Sequence, residues 1–555
     1  MVCIRVNPAN ITRKSKKLTA GDRLIVKKGI YDKPVVFNGL AGTWDNPILI
    51  EAEKGAIFTS GLSLSEYTKR ANLIAQRRQA AGYYPSVGQT ADEAALVFLH
   101  CKHVIVRKFK FVRCWPTALY LDECQHITLS RIRFREGTIA IGANGSTTRD
   151  LKITRCKWKQ DVSADHAMWN RIPWSAIHGS KDNTGSPGVD LQADYRAWDG
   201  DFFRAWDIAG NITIRKNRIS DAFNAIHFFN RVDRLAPGVD PNSLEFNDGK
   251  RASANVLIEK NRFKRIRDNV IEPENHAWNW VIRHNILADC YRPFSFELDR
   301  AGWFYVYGNY GWVNNPPASN SDGHRRKCSH FKLGGAQHNE GKIYVFNNSW
   351  FYRSGKGIFP SGILKKLRHF NNAIGYGHPP KARMFGKTAD LGCTTLPFSA
   401  AETDKDIAGH FTRKWQPKDH DITFDGDISQ DIDFPETLRN RGYAIGPNAK
   451  GGAPGFAHPE AWRPDLSVSN GSSAFEKSIA WTLCLPDGRK FCLPAGLNVG
   501  AQQTVDIYKK LDSCFQFLPE STGFSDCPDC PDCPDCPECQ QTEGQKPEKP
   551  HLLLF

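Results

Sequence analysis

Short segments of one pattern recur along the middle of this 555-residue chain, and this repetition limits the fold more than any other feature. Copies begin at His103, His126 and Asp150, which lie 23 and 24 residues apart. Further copies begin at residues 211, 255, 280, 304 and 342. Each copy alternates apolar and polar residues, which is the period of a β-strand. A repeat this short cannot bury its own apolar face, so the copies must stack on one another.

Several copies carry an asparagine at a comparable late position: Asn217, Asn261, Asn285, Asn309 and Asn347. Asparagine suits a tight bend in the left-handed backbone conformation, and its amide can bond an equivalent amide in the next layer. The pattern therefore predicts an all-β fold, a right-handed parallel β-helix built as a single-stranded solenoid with loop insertions. A propeller or sandwich is disfavoured because Asn-Gly and Asp-Gly hairpin signals are sparse.

The two ends of the repeat region carry further motifs. Residues 18–55 read "LTAGDRLIVKKGIYDKPVVFNGLAGTWDNPILIEAEKG", and "SSAFEK" is followed by "LNVGAQQ" near residue 500. The first stretch resembles the opening of the pectate-lyase-like right-handed parallel β-helix superfamily, and the second is similar to a closing motif of such proteins. The resemblance brackets residues 15–505 and implies a carbohydrate-active protein of the polysaccharide lyase type. That superfamily also holds hydrolases, epimerases and viral tailspikes, and no catalytic residue is transferred from it.

The predicted organisation has three parts. The β-helix spans residues 1–375, with insertions at 62–95 and 161–208. Residues 376–510 lose the repeat and form an irregular region packed on the helix, and residues 511–555 form a disordered Cys/Pro-rich tail. The tail holds a Cys-Pro-Asp repeat that suits disulfide crosslinking between chains, or adventitious metal binding, better than a dedicated zinc site. In the body, Cys101 and Cys124 could stack as thiols or pair, and Cys484 and Cys492 could close a hairpin.

The net charge narrows the choice of partner. Lysine and arginine outnumber acids by 74 to 59, giving +15, which favours an acidic polysaccharide, a nucleic acid or an anionic membrane surface. The basic residues look scattered along the sequence. Nucleic-acid-binding motifs and a membrane-spanning apolar run are not found, so we predict neither partner. The N-terminal sequence shows no signal peptide, although the resemblance implies an extracellular or periplasmic protein.

A second strand in each repeat predicts where the functional side chains lie. Aligning the segments from Asn224, Asn269, Arg292 and Ser329 places apolar residues inward in register. The outward positions then form one patch: His178, His227, Glu272, Glu274, Glu297 and Lys332, with Arg292 at its edge. His178 is assigned to the patch because its segment, "SAIHGS", aligns with the coil before His227. Carboxylates held side by side repel and raise each other's pKa, which favours a functional site over a solvated face.

Three chemistries fit this patch. In a lyase acting on a uronate polymer, His227 or His178 is the base and Lys332 or Arg292 neutralises the sugar carboxylate. In a glycoside hydrolase, Glu272 or Glu274 works with Glu297. For metal binding, His178, His227 and Glu272 are suitable ligands but too widely spaced for a transition metal. Calcium could be held by Glu272, Glu274 or Glu297.

Lyase chemistry on an acidic polysaccharide is our first prediction. A hydrolase, an epimerase and a non-catalytic glycan-binding or adhesion β-helix are the alternatives. The loop over residues 193–207 is predicted to cover the patch. There Tyr195 and Trp198 could stack on sugar rings, and Asp199 and Asp201 could bind sugar hydroxyls or calcium. The alternative for the two aromatic residues is that they pack the loop onto the coil.

Overall fold

The structure, a computed structural model, describes most of the predicted β-helix and part of the C-terminal region. The described residues are 1–15, 18–67, 69–70, 93–178, 195–230, 253–318, 328, 330–333, 341–352, 366–376, 421–429, 444–459, 461, 464–485, 489–501 and 505–515. The Cys-Pro-Asp repeat of the tail, and the disulfide crosslinking predicted for it, lie outside these residues.

Short strands dominate the described chain. The first part contains β1 (Cys3–Val6), β2 (Arg23–Val26), β3 (Gly29–Tyr31), β4 (Val35–Asn38), β5 (Ile48–Ala52), β6 (Ala56–Phe58), β7 (Ala94–Leu99), β8 (Lys102–Arg107) and β9 (Lys110–Val112). The next contains β10 (Thr117–Asp122), β11 (Gln125–Ser130), β12 (Arg133–Arg135), β13 (Ile139–Asn144), β14 (Arg149–Thr154), β15 (Lys157–Lys159), β16 (Phe203–Trp206), β17 (Gly210–Arg215) and β18 (Arg218–Ala222).

The middle and C-terminal parts continue the series. They contain β19 (Ile226–Phe229), β20 (Ala254–Glu259), β21 (Arg262–Ile266), β22 (Asn269–Arg283), β23 (Ile286–Ala288), β24 (Arg292–Tyr307), β25 (Tyr310–Val313), β26 (Phe331–Leu333), β27 (Ile343–Phe346), β28 (Ser349–Tyr352), β29 (Lys366–Phe370) and β30 (Ala373–Tyr376). The last strands are β31 (Asp421–Asp425), β32 (Ile428–Ser429), β33 (Ala444–Ile445), β34 (Lys450–Gly451), β35 (Phe456–His458), β36 (Asp465–Val468), β37 (Trp481–Cys484) and β38 (Lys490–Leu493). Short helices include α1 (Ile11–Ser15), α2 (Ala167–Asn170), α3 (Trp174–His178) and α4 (Val505–Cys514), with a 3-10 turn at Arg196–Trp198.

The strands stack in parallel into the coils of a β-helix, which confirms the predicted fold. A 21-stranded and a 13-stranded parallel sheet run along the stack. The larger sheet forms two faces, because β22 and β24 run through the corner between them. Face 1 contains β4, β7, β10, β13, β16, β19, the first halves of β22 and β24, and β26. Face 2 contains β1, β2, β5, β8, β11, β14, β17, β20, the second halves of β22 and β24, β27, β29, β31 and β33. Face 3 is the 13-stranded sheet that begins with β3.

Columns of apolar side chains fill the interior, because alternate residues of every strand point inward. On face 3 the central column is mostly aromatic: Tyr31, Phe58, Phe111, Phe134, Trp158, Ile219 and Phe263. Burial of each such side chain contributes roughly 1.5–3 kcal/mol. The stack is therefore held from inside, and its outward positions are free to vary for function.

A buried asparagine ladder connects the coils at the corner between faces 2 and 3. Its members are Asn217, Asn261, Asn285, Asn309, Asn348 and Asn372, and it ends at Asp427. The predicted member Asn347 is wrong by one residue. The left-handed conformation belongs to the residue before each ladder amide, as at Lys216, Gly308 and Asn347, and not to the ladder amide itself.

The predicted segment boundaries need correction. Strand β16 belongs to face 1, so the insertion predicted at 161–208 ends before Phe203. The coils also continue past residue 375, because β31 to β34 extend the two parallel sheets. The boundary predicted at residue 510 falls inside α4.

The cysteines of the described body are thiols. Cys101 and Cys124 stack on adjacent coils as buried free thiols. Cys484 and Cys492 lie on the antiparallel hairpin of β37 and β38, as predicted, but both are thiols, so the predicted disulfide is wrong. Within the described chain, no helix combines the length and apolar character that crossing a bilayer requires.

Candidate active site

The predicted register of the second strands on face 1 is confirmed. His227 of β19 pairs with Glu272 of β22, and Phe229 pairs with Glu274. In the next coil Glu274 pairs with Glu297. One coil later Ser295 of β24 pairs with Lys332 of β26. The charged side chains therefore lie on neighbouring strands about 4.8 Å apart.

The coil before His227 differs from the prediction. Its strand is β16, which places Arg204 opposite His227, while His178 ends helix α3 outside the strand stack. The alignment of "SAIHGS" with this coil is therefore wrong. The sequence "FFRAWD" contains the signal that was missed, because Phe203 and Ala205 are buried on either side of the outward Arg204. We refer to Asp201, Arg204, His227, Glu272, Glu274, Glu297 and Lys332 as the charged cluster.

Glu272 is the centre of the charged cluster and is only 3% exposed. Its Oε1 accepts hydrogen bonds from Asn269 Nδ2 and, at 3.1 Å, from Ser295 Oγ. Lys332 Nζ lies 3.6 Å from the same oxygen. Burial raises the pKa of Glu272 to about 7, against the opposing attraction of its cationic neighbours. A carboxyl held at this pKa can change its charge near neutral pH.

His227 lies between three carboxylates. Its Nε2 is 3.4 Å from Glu274 Oε2, and its Nδ1 is 3.9 Å from Glu272 Oε2 and 3.6 Å from Asp201 Oδ1. Burial acts to lower the pKa of His227, but Glu272 and Glu274 outweigh it and hold the pKa well above its ordinary value. In turn, the contact with His227 keeps the pKa of Glu274 below its ordinary value despite burial. These contacts favour the protonated imidazole.

Asp201 supports the cluster from below. It is fully buried, forms an ion pair with Arg204, and faces the Nδ1 side of His227. A group in this position cannot reach a polysaccharide. We therefore correct its predicted role from substrate binding to the support of Arg204 and His227.

Lys332 is the most exposed member of the charged cluster, with 38% of its side chain accessible. Its Nζ lies 2.5 Å from Glu297 Oε1, and Glu297 is 31% exposed. Burial lowers the pKa of Lys332, but Glu272 and Glu297 outweigh it and raise the pKa above its ordinary value. The ammonium group is thus a fixed positive charge at the edge that faces solvent.

His178 forms a separate pair with Asp199. The His178 Nδ1 atom lies 3.3 Å from Asp199 Oδ2, and the two side chains are 46% and 25% exposed. The hydrogen bond to Asp199 raises the pKa of His178, and Lys332 is near enough to oppose that shift. An imidazole held at Nδ1 by a carboxylate presents Nε2 outward, the arrangement that suits a general base.

The remaining predicted residues flank the cluster. Arg292 stacks over the Tyr291 ring at 4.1 Å and donates to its hydroxyl at 3.1 Å. Tyr195 and Trp198 lie 5.5 Å apart, half-buried and packed against the hydrophobic cluster around Met168 and Phe223. This contact agrees with the alternative that the two aromatic residues pack the loop onto the coil. Stacking of these residues on sugar rings stays a prediction.

Three side chains of the charged cluster could hold a metal ion. One ligand atom from each of His227, Glu272 and Glu274 lies within 4.8 Å of the others, the only such set among the described residues. The set of His178, His227 and Glu272, which the sequence indicated to be too widely spaced, does not form such a group, and His178 pairs with Asp199 instead. Two carboxylates and an imidazole suit a divalent cation; calcium would rely on the oxygens, whereas the nitrogen also suits manganese or zinc.

The chain is similar to several solved structures at low identity. An alginate lyase from Paenibacillus sp. str. FPU-7 matches at 12% identity and a TM-score of 0.34, over 68% of this chain and 97% of that one. Pectate lyase Pel9A matches at 10% identity and 0.40, over 91% and 96%. A PL6 alginate lyase in complex with a trisaccharide matches at 10% identity and 0.43, over 85% and 92%. These proteins are polysaccharide lyases. No protein-family model matches the chain, and no curated protein sequence does.

Proposed function

We propose that the protein is a lyase that cleaves a uronate-containing polysaccharide by β-elimination at the charged cluster. The observation that supports this most is the convergence of His227, Glu272 and Glu274 beside the ammonium group of Lys332 on an outward strand face. Such an enzyme must bring positive charge to the sugar carboxylate, and this cluster is organised to hold cations. In the reaction a base takes the proton beside the carboxylate, a C=C bond forms, the glycosidic C–O bond breaks, and the leaving oxygen takes up a proton from the protonated base or from water.

The donor set of His227, Glu272 and Glu274 fits a divalent cation. A cation bound there would neutralise the uronate carboxylate and so make the neighbouring C–H more acidic. Lys332 lies at the exposed edge of the same cluster, where its ammonium group can bind the carboxylate or an adjacent hydroxyl. Arg204 and Asp201 lie below and fix the position of His227.

We assign the base to His178 in preference to His227. The carboxylates around His227 favour its protonated form, which has no lone pair to accept a proton, and a cation held by the cluster would take up the lone pair of the neutral form. His178 is more exposed and is oriented by Asp199, so its Nε2 can accept the proton once it is neutral. Glycoside hydrolysis is less favoured, because Glu272 is too deeply buried to protonate a glycosidic oxygen, and Glu274 and Glu297 are each held in an ion pair, with His227 and Lys332 respectively.

The test is a panel of uronate polymers, including alginate and polygalacturonate, incubated with the full chain and with added calcium, manganese or zinc. We expect an ultraviolet-absorbing unsaturated product that disappears when the cation is chelated. Reducing ends without unsaturation would indicate a hydrolase, and inverted sugar residues in an uncleaved chain would indicate an epimerase. Binding without any chemical change would indicate a glycan-binding protein. Each of these results would overturn the lyase proposal.

The rate of elimination should increase with pH over an acid limb set by His178. Because Asp199 raises the pKa of His178 above 6.5, the base is lost as pH falls through that raised value. Asp199→Asn removes the cause, so the limb of kcat/KM should move to lower pH, and the maximal rate should fall roughly tenfold or more as orientation is lost. His178→Ala should lose the limb together with about 10²-fold of the rate.

The matched control is His458→Gln, which changes an exposed histidine of β35 far along the chain. Its pH profile should superimpose on that of the unmodified protein. An unchanged acid limb in both Asp199→Asn and His178→Ala would exclude His178 as the base.

A further inference from the structure

Face 3 carries an ordered array of basic side chains on its outer surface. Over five consecutive coils, from β9 to β21, three outward positions in each coil form three rows. The turn row is Lys108, Arg131, Arg155, Lys216 and Lys260; the next is Lys110, Arg133, Lys157, Arg218 and Arg262; the third is Val112, Arg135, Lys159, Ser220 and Lys264. Thirteen of these fifteen positions are Lys or Arg and none is acidic. We call this array the basic face.

The basic face corrects the impression that the basic residues are scattered. They are separated along the sequence by the length of a coil, but Lys110, Arg133 and Lys157 occupy paired positions on adjacent strands. Coil stacking brings them about 4.8 Å apart, and five coils extend the array over about 20 Å. Like charges directly opposite one another in a sheet destabilise it.

Few of these charges form an ion pair with a carboxylate of the described chain. Lys108 lies 2.5 Å from Glu51, and Lys159 lies 3.8 Å from Asp221, both at the border of the array. For nine others no carboxylate of the described chain lies within 4.0 Å: Lys110, Arg131, Arg133, Arg135, Arg155, Lys157, Lys216, Arg218 and Lys260. Most of these side chains are exposed and are available to an external anion.

The fold does not require basic residues at these positions. The strands are held by the inward aromatic column, so any polar residue would serve on the outside. The turn row adopts the left-handed conformation, as at Lys216 with φ 57° and Lys260 with φ 55°, where glycine or asparagine costs less. Two coils further on the same position is Gly308, and the outward strand position is Tyr310. Backbone geometry therefore does not explain why Lys and Arg occupy these positions.

We propose that the basic face binds a second stretch of acidic polysaccharide, as an extended chain lying along the coil axis. Along each row, nearly every coil adds one positive charge, so the charges repeat at the strand spacing. A polysaccharide that carries carboxylates on its sugars can lie against such a row. This surface lies on face 3, whereas the charged cluster lies on face 1, so it is a binding surface separate from the proposed reaction. The identity of the polymer as a uronate rests on the proposed function, but the binding of a polyanion does not.

A polysaccharide fits this surface better than a nucleic acid. Proteins that hold single-stranded nucleic acid combine basic grooves with aromatic side chains on which bases stack, and none of the fifteen positions is aromatic. Reading duplex DNA requires an element that enters a groove, and a flat sheet face lined with long side chains does not provide one. Recognition through charge alone suits a flexible polyanion that lies against the sheet.

The test uses the full chain carrying Glu272→Gln, so that the polymer is bound without being cut. Arg133→Glu, Lys157→Glu and Arg218→Glu are introduced together in the centre of the array, where all three side chains are exposed. The matched control is Lys33→Glu, Lys102→Glu and Lys152→Glu, which changes the net charge equally at exposed positions outside the array. Binding to alginate, polygalacturonate and duplex DNA is measured at low and high salt, and folding is checked by circular dichroism.

We expect the array variant to bind the polyuronates about tenfold more weakly than the control at low salt, with the difference lost at high salt as charges are screened. Equal weakening in both triple variants would show that net charge alone is responsible and would overturn the proposal. Tighter binding of DNA than of either polyuronate would overturn the choice of partner. Because cleavage is not measured, failure of this proposal is distinct from failure of the lyase proposal.

Discussion

Replacing Glu272 by glutamine is expected to reduce the rate of elimination by about 10²–10³-fold while leaving the fold intact. Glutamine has the shape of glutamate and can accept the hydrogen bonds from Asn269 and Ser295, but it removes the negative charge that His227 and Lys332 face. The cation site loses one of two carboxylates, and charge stabilisation of this kind is worth about 10²–10³-fold in rate. Titration calorimetry with calcium, manganese or zinc alone should show a corresponding loss of affinity.

The same substitution should not destabilise the protein at neutral pH. Burial raises the pKa of Glu272 from 4.5 to about 7, so folding favours its protonated form. The unmodified protein therefore loses stability as pH increases through the window between those two values, because a buried carboxylate must ionise. Glutamine cannot ionise, so the variant should have a flatter profile and, above that window, a melting temperature equal to or above that of the unmodified protein.

The control for this variant is Glu53→Gln, which breaks an exposed ion pair with Arg5 at the N-terminal end of the β-helix. It should change neither rate nor cation affinity. If Glu272→Gln were to retain full activity, the charged cluster would not be the reaction site. A lower melting temperature with unchanged cation affinity would instead identify Glu272 as a structural ion-pair residue.

The register of the site could be predicted because it depends on a period of two residues. Ile271 and Pro273 match apolar residues in the neighbouring coils, and a shift by one residue would have turned both toward solvent. That constraint fixed the outward direction of Glu272 and Glu274 before any contact was known. The same logic identified the asparagine ladder, in which each coil repeats one buried amide.

The features that were not predicted depend on how inserted segments return to the coil. The chain leaves the strand stack after β15 and rejoins it at β16, so no period linked His178 to His227, and Arg204 was assigned to the insertion. Asp201 comes just before β16, and its burial is a result of tertiary packing that no sequence period predicts. The basic face was missed for a different reason: its charges are adjacent only after coils of unequal length are stacked, as between Lys157 and Arg218.

The asparagine ladder provides the largest stability effect that we expect. Asn285 is fully buried; its Oδ1 accepts from both the backbone N and the Nδ2 of Asn261, and its Nδ2 donates to Ile258 O at 2.9 Å and to Asn309 Oδ1 at 3.0 Å. Asn285→Ala removes all four bonds but leaves two partner groups unsatisfied, Asn261 N and Ile258 O, because Asn261 Nδ2 still donates to Ile214 O and Asn309 Oδ1 still accepts from the backbone N of residue 285. Each unsatisfied group costs about 1–3 kcal/mol. Allowing for non-additivity, we expect a loss of about 4 kcal/mol, measured as a lower midpoint of urea denaturation.

A matched asparagine without this role tests whether the effect comes from the ladder. Asn38 is an exposed residue of β4, and Asn38→Ala should change the midpoint by less than about 0.5 kcal/mol in equivalent free energy. Asn285→Asp supplies an intermediate test, because a carboxylate can still accept from Asn261 but cannot donate to Ile258 or Asn309. The ladder itself ends in such a group, since Asn372 donates to Asp427. If Asn285→Asp and Asn285→Ala were both as stable as Asn38→Ala, the amide ladder would not stabilise the stack, and the apolar columns alone would hold it together.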